Sequence, residues 1–166
     1  MNIRYLLTVL LYFHAHFSVA EVIGEIIYLE GSIQVFEKDN IKPVRIKSSE
    51  LPYSINIKSK IRSKRNSLAK IVLSNDIQIV LKSQSTITFI ENNKHSIESG
   101  RILYNVKRKS TINGLQVSTK SAIIGVKGTQ FLVNETDSNH SILLHKGTIT
   151  VDSINAQFRR AIQKEK

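Results

Sequence analysis

From Gly31 to Val151 the chain is built of short runs in which isoleucine, valine and leucine recur at every second position. Ile33 and Val35 form one such pair, and Ala69, Ile71 and Leu73 a longer set. Ile77, Ile79 and Leu81 follow across Ser74, Asn75 and Asp76, and Ile87 with Phe89 continues the series. Further on come Ile102, Tyr104 and Val106, then Leu115 and Val117, Ile142 and Leu144, and Ile149 and Val151. Neighbouring side chains of a strand point to opposite faces, so a period of two gathers each set on one face of a sheet. The runs are separated by Gly, Asn and Asp, residues that accept the positive φ of tight turns. No helical period is present before residue 153, and the pattern predicts an all-β domain over residues 21–152.

One short unit recurs. Gly31 to Val35 (GSIQV) and Gly147 to Val151 (GTITV) share a form, and Gly100 to Tyr104 (GRILY) is a looser echo. A glycine corner feeding an inward aliphatic pair suits stacked turns of a solenoid, and equally a series of hairpins in a sandwich or barrel. Glu37 to Tyr53 holds both prolines, Pro43 and Pro52, and reads as a loop with one edge strand at Val44 to Lys47. In the tail, residues 153–166, Ile154, Phe158 and Ile162 stand four apart, the spacing of a short amphipathic helix or of an end that frays.

Residues 1–20 read as a secretory signal peptide. Arg4 supplies the positive start, Tyr5 to Phe13 the apolar core, and Ser18 and Ala20 the small residues before a cleavage site. The apolar core is too short to cross a bilayer, which takes about 20 residues. The exported chain would run from Glu21 to Lys166, 146 residues, the size of one domain. It would be periplasmic or secreted, with no transmembrane anchor after cleavage. There is no cysteine, which excludes disulfides, thiolate metal sites and a cysteine nucleophile. With 24 basic against 13 acidic residues the net charge is +11, which favours anionic partners. Export makes nucleic acid an unexpected partner, and leaves an envelope protein, an anionic glycan or a phosphorylated lipid surface.

Residues Thr119 to Val133 (TKSAIIGVKGTQFLV) stand out, because Gly125 and Gly128 interrupt a β-branched run that then resumes with Phe131 and Val133 on one face. This segment resembles the signature of the FecR domain, T-P-x-A-x-x-x-V-R-G-T-x-F-x-V. The likeness extends to Gly24 to Val35, to Ala69 through Leu81, to Ser85, Ile87 and Phe89, to Gly100 and Val106, and to the closing residues His145 to Val151. It implies a β-solenoid-like stack of short strands in a stand-alone exported member, acting as a binding, scaffold or envelope-signalling module without catalysis. It also implies that Gly125, Val126, Lys127, Gly128, Thr129 and Phe131 are structural residues of the motif. Four positions depart: Lys120 stands at the motif's proline, Lys127 at its arginine, and Asn75 with Asp76 at a usual Asp-Gly. Lys127 keeps the charge but lacks the planar fork that binds a carboxylate two-pronged. The family's signalling members carry a cytoplasmic anti-sigma region and a transmembrane helix before this domain, neither of which the sequence displays, so the membrane-relay role is not carried over.

The most suggestive surface is Ile57 to Lys64. In a strand Lys58, Lys60, Arg62 and Lys64 would share one face at about 6.6–7 Å intervals, with Arg65 extending the row. No acid lies between Glu50 and Asp76. Such a stripe could grip an anionic polymer, as an adhesin-like or glycan-binding protein would, or simply protect a solvated edge strand. Lys107 to Lys109 reads as a basic turn tip. The histidines of the exported chain, His95, His140 and His145, read as exposed, and none has metal-ligand spacing to another. No acid pair or nucleophile elbow points to catalysis, and neither metal nor cofactor is expected.

Overall fold

The computed structural model describes residues 21–154, except 39, 41 and 108–113. The signal-peptide expectation for residues 1–20, the tail beyond Ile154, and Arg108 and Lys109 of the basic turn lie outside the described residues. Twelve strands follow one another: β1 (Val22–Glu30), β2 (Ile33–Phe36), β3 (Val44–Ile46), β4 (Tyr53–Asn56), β5 (Lys60–Ser63), β6 (Leu68–Leu73), β7 (Ile77–Leu81), β8 (Thr86–Glu91), β9 (Lys94–Val106), β10 (Leu115–Ser118), β11 (Ala122–Thr136) and β12 (Asn139–Ser153). A single turn of 3₁₀-helix, Ser48–Glu50, precedes β4. The all-β expectation is met.

All twelve strands belong to one sheet, curled into a half-barrel. Its main path runs β3-β2-β5-β8-β9-β7-β6-β1-β4, and β10, β11 and β12 are added beyond β9. Every pairing is antiparallel except β9 with β10. The period-two rows predicted from the sequence form the inner face as far as β11, whereas in β12 Leu144 and Val151 are exposed. In β6 and β7 burial alternates strictly, and Ile71, Ile77, Ile79 and Leu81 are inaccessible to solvent. Asp76, between those strands, adopts the left-handed conformation its hairpin requires.

The recurring glycine unit has a physical basis. Gly100 turns at φ +94 against Ser85, where a Cβ would collide with the serine's backbone and hydroxyl. Gly147, at φ +95, faces the Gly128 carbonyl, and a Cβ there would lie 2.6 Å from its oxygen. At the first copy, Gly31 lies against Ser67. In each case the corner is closed by a hydroxyl-bearing residue from another part of the chain: Ser67, Ser85 or Thr129.

Candidate functional site

In the signature segment Val126, Thr129 and Phe131 are buried. Val126 and Phe131 enter the core on β11, while Lys127 between them is exposed and, among the described residues, has no ion-pair partner. Pairing with β12 jumps from Lys127 opposite Thr148 to Gln130 opposite Lys146, so Gly128 and Thr129 form a bulge. Gly128 supplies the positive φ, and the buried Thr129 hydroxyl donates to the Thr148 carbonyl (2.9 Å) and the Lys127 carbonyl (3.2 Å). Gly125 lies against the side chain of Thr150. Phe131 stacks on Tyr104 of β9, centroids 4.9 Å apart.

That stack continues to a residue the sequence pattern misplaced. His95, expected at the surface, is fully buried between Phe89 and Tyr104, with Nδ1 3.3 Å from the Tyr104 hydroxyl. Burial pushes its imidazole down to about 4, only partly opposed by the Asn92 backbone, and pushes the Tyr104 phenol up. The signal was present: His95 stands two residues before Ile97, on the inward phase of β9. His140 and His145 are exposed as expected, and His140 meets the buried Glu135 carboxylate at 2.8 Å.

The basic stripe is broken by the structure. Lys58 precedes β5, in a left-handed turn conformation, with its N–H donated to Phe89. Lys60 is on the strand but pairs with Glu98 of β9 at 2.6 Å, a carboxylate that also accepts from Thr88. β5 is flanked on both sides, by β2 and β8, so edge protection does not explain the lysines. What remains, Arg62, Lys64 and Arg65, lines a cleft of about 670 Å³ together with Lys120, which no sequence proximity links to them.

The cleft is built on the outer face, where β8 and β9 shift register between Thr86 and Ile87. Across the sheet Arg62 stands opposite Thr86, and Thr86 opposite Ser99. Arg62 is braced by the Phe36 ring, 5.5 Å from its guanidinium carbon. Lys64 and Arg65 project from a turn clasped by its neighbour: Gln84 donates its N–H to the Lys64 carbonyl, and Asn66 its N–H to the Ser83 hydroxyl. Asn66 and Gln84 are both left-handed, the strain such turns carry being offset by those hydrogen bonds. On the far wall the Thr119 hydroxyl accepts from the N–H groups of Ser121 (3.3 Å) and Ala122 (3.1 Å), fixing the turn that carries Lys120. Among the described residues none of the four cations makes an ion pair, and no group of three or more acids or histidines could hold a metal.

Comparison with known proteins adds two findings. The family model described as FecR protein matches residues 59–150, which contain β5 to β11 and most of β12. A solved structure from Parabacteroides distasonis ATCC 8503, described as a candidate anti-sigma factor, is similar in fold, with a TM-score of 0.51 and 18% identity. The likeness covers 58% of this chain and 48% of that one, so the chain spans about half the length of its structural relative. No curated protein matches.

Proposed function

This chain belongs to the FecR family, and from that premise we propose that it is an exported, non-catalytic binding module of an envelope-signalling system. In this reading residues 1–20 are removed, residues 21–152 form the working domain, and its partner is an envelope protein. The family match over residues 59–150 carries the proposal, and the regulatory description of the solved neighbour accords with it. The test is capture of envelope proteins by the tagged protein in its own cells, with the mature N-terminus sequenced. A defined envelope protein recovered with a chain beginning at Glu21 is the expected result. An uncleaved chain retained in the cytoplasm sinks the reading.

A second reading is favoured by four cations that make no ion pair among the described residues: direct contact with an anionic glycan through the basic face. Such binding weakens steeply with salt, because exposed charges are screened beyond about 8 Å at physiological ionic strength. Replacing Lys58, Lys60, Arg62 and Lys64 together by Ser abolishes polyanion binding in this reading. Undiminished binding by that variant rejects it.

A further inference from the structure

We infer that the cleft between β5, β8, β9 and the Thr119–Ala122 turn binds a short anionic saccharide, its oxyanion held by Arg62, Arg65 and Lys120 and its hydroxyls by the cleft's serines and threonines. The inference rests on the second reading above and replaces its extended stripe with a bounded site.

Four observations carry it. The stripe's first two cations are lost to it, since Lys58 turns away before β5 and Lys60 is neutralised by Glu98. The remaining three meet a fourth, Lys120, from the opposite wall, so the charge lines a concavity instead of a line. Between them Thr86, Ser96, Ser99 and Thr119 supply donors and acceptors of the kind sugar hydroxyls use, and the one acid of the lining, Glu98, has its charge met by Lys60 at 2.6 Å. Ile97 is the one apolar residue of the lining and is itself buried, so no exposed apolar side chain is offered to an acyl chain.

The size and the rigidity agree with this. A volume of about 670 Å³ falls inside the range of about 300–1,000 Å³ common to small-ligand sites. Two guanidiniums offer the forked geometry that pairs with carboxylate or phosphate. Arg62 is held by Phe36, the Lys64–Arg65 turn by Ser83 and Gln84, and the Lys120 turn by Thr119. Binding then has only the ends of the Lys64, Arg65 and Lys120 side chains to order, on turns whose backbone is already fixed. Lys120 is the specificity-determining residue. It occupies the position at which the signature motif has proline, in a turn that the Thr119 hydroxyl already fixes, so the replacement adds a cation at the mouth without changing the turn.

The test is calorimetric titration of the full exported protein at low salt with trigalacturonate, glucose 6-phosphate, neutral maltotriose and inorganic phosphate. Trigalacturonate or glucose 6-phosphate binds, and which of them binds more tightly identifies the oxyanion as carboxylate or phosphate. Maltotriose does not bind, and inorganic phosphate is at least about tenfold weaker than the better sugar. Arg62→Gln with Lys120→Gln weakens that sugar by at least about tenfold, whereas Lys58→Ser with Lys127→Ser, both outside the cleft, changes it by less than about twofold. Lys120→Pro, which restores the motif residue, keeps the melting temperature and still weakens binding, so a misfolded double variant does not hide the result. Equal losses in the two double variants overturn the cleft while leaving the basic-face reading standing. Loss in neither overturns both. Inorganic phosphate binding as tightly as the sugars overturns the saccharide assignment, and failure of both anionic sugars overturns the whole inference.

Discussion

Strands β6 and β7 and strand β12 carry the same alternation of isoleucine, leucine and valine, yet they end in different environments. In β6 and β7 every second side chain is buried, because each strand has a neighbour on both sides and the curled sheet closes over its inner face. Among the described residues β12 pairs only with β11, and of its apolar residues Leu143 is 60% exposed and Leu144 42%. Ile142 and Ile149 pack against the core only in part. A period of two states which face a residue takes. Whether anything covers that face depends on the strand's place in the sheet, which is decided by distant segments.

The sharpest probe of this difference is a pair of truncations. Ile79→Ala opens a cavity in a closed core and costs about 2–5 kcal/mol, whereas Leu143→Ala on the open strand stays within about 0.5 kcal/mol. Urea unfolding of both variants measures the gap, and comparable losses would mean that β12 is covered in solution.

Next in size is a pH effect confined to the closed region. His95 has its folded value lowered from 6.5 to about 4, so below 6.5 the unfolded chain binds a proton that the folded chain refuses. Its contribution is therefore full above pH 6.5 and lost as pH falls through about 4, amounting to roughly 3 kcal/mol in all. Urea midpoints at pH 7, 5.5 and 4 trace this loss. The His95→Phe variant flattens the curve over that window, and an unchanged slope in it would refute the assignment.

Smaller again is the bulge that joins β11 to β12. Gly128→Ala forces a Cβ into a left-handed conformation and costs about 1–2 kcal/mol, read as a lowered melting temperature. Last comes Leu143→Lys, which leaves stability within about 0.5 kcal/mol and lowers self-association, because a lysine on an open strand opposes edge-to-edge pairing. Light scattering at rising concentration checks it.

The inner rows were legible because alternation and turn residues are local signals: Ile71, Ile79, Tyr104 and Phe131 lie where the period places them. So were the glycine corners, whose conformations the residue type itself announces. His95 was readable from its phase with Ile97 but was judged by its polarity, which a buried aromatic neighbourhood overrode. The cleft was half visible. Arg62, Lys64 and Arg65 appeared as a row, yet the pairing of Lys60 with Glu98 and the approach of Lys120 join segments tens of residues apart. Lys58 looked like part of the strand only because extended geometry was assumed one turn too early.

Strand β9 hydrogen-bonds along its length to four others: β7, β8, β10 and β11. It is the keystone of the molecule, since withdrawing it detaches the basic mouth, the closed core and the outer hairpin from one another at once. Edge strands such as β3 and β12, each with one neighbour among the described residues, can fray by themselves, but loss of β9 takes the core with it.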